Sequence, residues 1–326
     1  MGIILLYHRI ATSAADPWAL NVSAENFAEH VDVIRASRHP CALQELVEDA
    51  ATGRAADGDV AVTFDDGYAN NLHVGVPILE SAGVPATFFI PSGSIDCADE
   101  FWWDELDALL LSPGTLPARL HIEADGRPFE WTLGDAACYS DASSARDRGW
   151  VAWELAPTTR HALYRELWTT CRDLSGAART AVLQQLRTWA GRAPAVRSSH
   201  RTLTRAELAQ LARSPIAEIA GHTVTHPRLS SLPPSAQRVE IEANKKYLEG
   251  LTRRPLRAFS YPFGKDTDYS AETINLVREA GYALACRNVP GPVSRETAPL
   301  RLPRYFVTNL NRVEFAEWLS LAAASA

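Results

Sequence analysis

The chain has 326 residues, 46% of them hydrophobic, enough for one large domain with an insertion or for two domains. A net charge of −7 argues against a nucleic-acid partner. Five scattered cysteines (Cys41, Cys97, Cys138, Cys171 and Cys286) form no CxxC pair, which fits a reducing compartment and argues against a disulfide scaffold.

The first nine residues lack a basic leader region, and no run reaches the ~20 apolar residues of a membrane span. The expectation is a cytoplasmic protein with no membrane span; its oligomeric state is left open. Arginines outnumber lysines 29 to three (Lys245, Lys246, Lys265), which reflects genome composition more simply than a phosphate-bearing substrate.

In chain order, residues 3–7 read as a strand and 26–35 as a helix capped by Ser23, with Phe27, Val31 and Ile34 at helical spacing. A strand at 60–64 follows, then a helix at 72–82 stopped by Gly83, then a strand at 87–90. The rhythm breaks over 97–200, where seven of the nine tryptophans lie. This stretch reads as a helix at 102–111, a hairpin within 120–133 and helices at 159–174 and 178–190, forming an insertion that caps or flanks the main domain. Alternation resumes with a helix at 207–213 behind Thr204, a strand at 216–220 and a helix from Pro233-Pro234 to Gly250. Strands at 256–261 and 282–286 enclose a helix at 271–280, and a helix at 312–321 closes the chain. Such strand–helix alternation predicts an α/β fold with a parallel sheet or barrel over 1–96 and 201–326.

Two clusters carry chemistry. Asp65 and Asp66 sit where an apolar strand runs into Gly67. Neighbouring strand residues point to opposite faces, so both carboxylates can serve one site only where the backbone turns. His222 and His226 sit where a later strand runs into Pro227, a residue that disfavours helix at His226. One carboxylate and two imidazoles make a metal site with positions left open, and the other carboxylate stands by as a base.

TFDDGY at 63–68, HTVTH at 222–226 and YPFG at 261–264 resemble, in that order, motifs of the polysaccharide deacetylases of carbohydrate esterase family 4, the NodB-homology deacetylases. The opening Leu6-Tyr7-His8-Arg9 is similar to that family's first strand. The resemblance covers about 1–96 and 201–326. It implies a distorted (β/α)7-type barrel, into which the Trp-rich, mostly helical segment 97–200 is inserted. It also implies that Asp65 is the general base, that Asp66, His222 and His226 hold the metal, and that Pro262 and Phe263 shape one wall of the substrate groove. Zn²⁺ is the leading candidate, with Fe²⁺, Co²⁺ or Ni²⁺ also suited to two imidazoles and a carboxylate.

Two positions depart from the family pattern. Ser260 stands where an arginine often braces the base, and no histidine follows His226 to act as the acid. Arg304 is the candidate for the missing positive charge, and His8 for the acid or a site-lining group. Tyr68, Trp102 and Trp103 are candidates for substrate contact, since sugar faces stack on aromatic rings. Core anchoring of the insertion is the favoured reading for Trp102 and Trp103, Tyr68 either points into the site or packs, a core histidine bonded to backbone is an equal alternative for His8, and His200 is the weakest candidate for a site role. The reaction expected is metal-dependent removal of acetate from an acetamido sugar: a glycan precursor, a carrier-linked sugar or a small amino-sugar metabolite. The alternatives are hydrolysis of a non-sugar amide, formamide or cyclic imide, and a carbohydrate-binding module without turnover.

Overall fold

The computed structural model describes residues 1–324 apart from 55, 57, 194 and 195. The chain divides into two units, Met1–Ala11 with Asn21–Cys97 and Thr202–Ala326, and Thr12–Leu20 with Ala98–Arg201.

The first unit is built on seven parallel strands: β1 (Ile3–Tyr7), β2 (Asp59–Phe64), β3 (Ala86–Ile90), β4 (Ala217–Gly221), β5 (Ala258–Ser260), β6 (Leu284–Cys286) and β7 (Tyr305–Phe306). Their spatial order is β6-β5-β4-β3-β2-β1-β7, and His39–Pro40 adds a short parallel edge to the start of β2. One segment completes the ring. Leu302 pairs with Cys286 at the end of β6, while Tyr305 and Phe306 pair with Leu5 and Leu6 of β1. The fold is therefore a distorted (β/α) barrel.

Alternation along each strand sorts residues into two layers. One set (Ile3, Leu5, Tyr7, Val60, Val62, Phe64, Phe88, Ile90, Ile219 and Phe259) packs outward under the helices. Six helices supply the other half of that layer: Ala24–Ser37, Val76–Ala82, Arg205–Leu211, Pro234–Thr252, Ala271–Glu279 and Arg312–Ala324. The alternate set (Ile4, Ala61, Phe89, Ala220, Ala258, Leu284, Cys286 and Leu302) fills the inside. A further helix, Leu43–Thr52, presents Leu43, Leu46, Val47 and Ala50 to this inner cluster and closes it from below. Each fully buried aliphatic or aromatic side chain contributes about 1.5–3 kcal/mol to that closure.

Two helices show how local chemistry sets boundaries. Thr204 caps Arg205–Leu211 through a reciprocal capping box with Glu207. The helix expected at 72–82 begins instead with a π-turn, Asn71–Gly75. Pro77 has no N–H for the regular helical ladder, so the register changes just upstream of it.

The second unit contains helices Trp102–Leu110, Asp141–Asp147, Thr159–Asp173 and Gly176–Ala190 and the hairpin Arg119–Ala124/Arg127–Thr132. The hairpin turns at Asp125 and Gly126, both at positive φ (52° and 74°), the geometry that an Asp-Gly pair favours. Residues 12–20 fall in this unit rather than with 1–96. The reason is Trp18, whose ring lies 4.1 Å from that of Trp168, while Pro17 O accepts the Ala152 N–H. No helix among the described residues is long and apolar enough to cross a membrane.

Candidate active site and metal centre

The inward-facing positions of the strands converge at their C-terminal ends, where barrels gather catalytic groups. His8 extends the inner series Ile4, Leu6, and Asp65 extends Ala61, Thr63. His222 continues Ala220, Ser260 continues Ala258, and Arg304 continues Leu302. Asp66 is out of step and reaches the same space only because its backbone turns left-handed (φ 71°). Gly67, next in the chain, is also left-handed at φ 65°. Thr223 (φ 63°), His226 (φ 53°) and Phe263 (φ 61°) share this conformation. Four of the eight non-glycine residues at positive φ among the described residues thus lie at one site, a concentration of strain typical of function.

The two carboxylates have different surroundings. Asp65 takes a bidentate grip from Arg304, with Nη1 donating to Oδ1 and Nη2 to Oδ2, each at 2.7 Å. Ser260 Oγ donates to Asp65 Oδ2 at 3.1 Å and accepts from Arg304 Nη2 at 2.8 Å. Thr63 Oγ1 accepts from Arg304 Nη1 at 3.3 Å. Burial would raise the Asp65 carboxyl, but Arg304 and His222 outweigh it and hold the group well below its ordinary value. Asp65 is therefore held in its ionised form and fixed in position by Arg304 and Ser260.

Asp66 has no such brace. Its Oδ1 is buried without a hydrogen bond and lies 3.4 Å from both His222 Nε2 and His226 Nε2. That is longer than a good N–H···O bond. His222 Nδ1 is 2.7 Å from the Ser260 carbonyl, which assigns its proton to Nδ1 and leaves the Nε2 lone pair facing Asp66. The three atoms lie within 4.8 Å of one another. Burial lowers the His222 pKa, yet Asp65 and Asp66 reverse this and raise it, and the same pull would act on a divalent cation. Two nitrogens and one oxygen, all buried, with one orphaned acceptor among them, fit a zinc-type ion.

A family model described as polysaccharide deacetylase matches residues 52–112 and 181–285, just over half of the chain. The chain belongs to the polysaccharide deacetylase family. Among solved structures this deacetylase-family chain is similar to the Streptococcus pyogenes deacetylase PplD in complex with acetate, at 16% identity and TM-score 0.59, covering 97% of this chain and 96% of that one. It is also similar to IcaB from Ammonifex degensii (17%, TM-score 0.57, 97% and 96% covered). A third likeness is to the BpsB deacetylase domain of Bordetella bronchiseptica (16%, TM-score 0.53, 94% and 95%). At these identities the likeness concerns the fold. No curated protein matches the sequence.

The structure of this deacetylase-family member brings Asp65, Asp66, His222, His226, Ser260 and Arg304 together. His8 lies within their field: Asp66, Asp65, Arg304 and His222 all act on its charge, and its buried Nδ1 has no hydrogen-bond partner. Phe263 sets its ring against His226 at 4.9 Å, and Pro262 is buried beside it. Tyr68 is fully buried, with Arg9 over its ring at 5.1 Å, so it packs rather than offering a face to substrate. Trp102 and Trp103 open a helix of the second unit and are 7% and 5% exposed. Their rings pack on each other, on Phe101 and Trp168 and under Arg179, so neither leaves a face for a sugar. His200 is buried in that unit with Ser199 Oγ 2.8 Å from its Nδ1. Sequence reasoning gave no role to Asn244, Glu240 or Thr223, which hold the histidine loop.

Proposed function

We propose that the protein is a metal-dependent N-deacetylase that hydrolyses the acetamide of an amino sugar and releases acetate. The observation that supports this most is the division of labour between Asp65, braced by Arg304 and Ser260, and Asp66, whose Oδ1 lies 3.4 Å from both imidazoles and outside good hydrogen-bond geometry. Asp66, His222 and His226 would hold a divalent cation, Zn²⁺ foremost, which supplies a Lewis acid for the acetamide carbonyl and eases deprotonation of the attacking water.

Asp65 accepts the proton of that water as the oxygen adds to the carbonyl carbon. The C–N bond then breaks. The leaving nitrogen needs a proton, and the one that Asp65 takes from the water returns to it, with His8, whose buried Nδ1 has no hydrogen-bond partner, as the candidate relay. Phe263 forms one wall beside His226. The five cysteines are free thiols, compatible with a cytoplasmic reaction.

The family's description points to polysaccharide, whereas a precursor or small metabolite was expected from the sequence. The deciding experiment measures acetate release by Zn²⁺-loaded enzyme from acetamido-sugar monomers, oligomers, carrier-linked sugars and polymer. Acetate from at least one class, abolished by D65N, is the expected result. Formate or a ring-opened acid as product, or no turnover of any class, would overturn the reading.

A further inference from the structure

We infer that Glu240 and Asn244 are positioning residues that set the affinity of the His222–His226 loop for its metal, an inference that rests on the metal-dependent reading above. The two sit one turn apart on helix Pro234–Thr252 and so share a face. Glu240 Oε2 accepts the backbone N–H groups of Val224 and Thr225, each at 2.8 Å, and Oε1 accepts the Thr225 hydroxyl at 2.7 Å. Asn244 is fully buried. Its Oδ1 accepts the His222 N–H at 3.2 Å, and its Nδ2 donates to the carbonyls of Ile90 (2.9 Å) and Thr223.

The loop's backbone is held in an unusual conformation. Thr223, a β-branched residue, adopts a left-handed dihedral that such residues avoid, and His226 is left-handed as well. Inside the loop, the Thr223 hydroxyl ties the two ligand residues, donating to His222 O at 2.5 Å and accepting from His226 N at 3.1 Å. The helix face holds the amide side of the backbone between the imidazoles, while the N–H groups of Ser92 and Gly93 hold the carbonyls of Thr223 (3.1 Å) and Val224 (2.8 Å). Gly221 leaves it room, because a Cβ there would lie 2.9 Å from Asn244 Oδ1 and 2.2 Å from the Tyr282 hydroxyl oxygen. With the clamp in place, the imidazoles need no ordering when a cation arrives. Without it, Thr223 and His226 relax toward ordinary dihedrals and the nitrogens separate.

The test is Zn²⁺ affinity by chelator competition on the full-length protein. E240A should bind Zn²⁺ about 10–100-fold more weakly, the usual range for loss of a group that orients a metal ligand. E240Q, whose amide oxygen still accepts both N–H groups, should stay close to the parent. T225V, which removes one bond only, should show a smaller loss and serves if E240A does not fold. Parent-like Zn²⁺ binding by E240A, or by T225V in its place, overturns the inference. So does an E240Q loss as large as that of E240A, since charge rather than the clamp would then be responsible. A parent that binds no Zn²⁺ sinks both this inference and the metal-dependent reading, whereas unchanged binding in E240A sinks this one alone.

Discussion

Asp65 and Asp66 are the same residue type at adjacent positions, and their neighbours give them opposite tasks. Asp65 receives two guanidinium bonds and a hydroxyl, whereas Asp66 Oδ1 receives none. Their substitutions should separate accordingly. D66A should lose stoichiometric Zn²⁺, measured by elemental analysis, while D65N should retain the metal and lose acetate release. Arg304 faces a different test, because it is fully buried and its charge is matched by Asp65. R304M strands a buried carboxylate and should cost about 3–5 kcal/mol in urea unfolding, with Ser260 too weak a partner to compensate. The two aspartates and two histidines stood out in the sequence as candidates because TFDDGY and HTVTH occur together and resemble a known family's motifs, each being a weak signal alone. Arg304 was legible only as a candidate, since nothing near it in the chain records its partner 239 positions earlier. Glu240 and Asn244 were not legible at all, because an acid and an amide on an amphipathic helix look like any solvated face.

At the scale of elements, alternation and capping carried most of the fold. Strand β1 and the helices behind Ser23 and Thr204 announce themselves through apolar spacing and cap residues. Leu43–Thr52 went unread although Leu43, Leu46, Val47 and Ala50 have helical spacing, because Ala42 makes no side-chain cap and Gly53 is the only boundary mark. β7, two residues long, is too short to show any period. Segment 12–20 was read with the barrel because tertiary pairing of tryptophans leaves no trace in local pattern. One helix pair makes a pH prediction. His30 of Ala24–Ser37 stacks on Phe315 of Arg312–Ala324 at 3.9 Å, and its Nε2 is 2.7 Å from Leu310 O. Burial lowers its pKa from 6.5 to about 4, outweighing the Leu310 carbonyl and Glu29, which raise it. The unfolded chain therefore binds a proton that the folded chain refuses in that interval, so stability should fall as pH drops from 6.5 toward about 4. H30Q should flatten this slope by His30's share, read from urea midpoints at a series of pH values.

Across the whole molecule, the barrel's inside depends on a segment that arrives late in the chain. Leu302 is fully buried among inner residues drawn from β1, β2, β3, β4, β5 and β6, and its N–H bonds to Ala285 O at 2.8 Å. L302A should cost about 2–5 kcal/mol by calorimetry or urea unfolding, the range for a buried leucine in a well-packed core. Two residues further on, the same segment delivers Arg304 to Asp65. During synthesis, the acidic pair and both imidazoles therefore leave the ribosome long before the cation that balances Asp65. A nascent chain carrying TFDDGY and HTVTH but not yet its last strand would have an uncompensated base and an unsealed ring. Catalytic competence and topological completion thus arrive together, and an interrupted translation product would be left with neither.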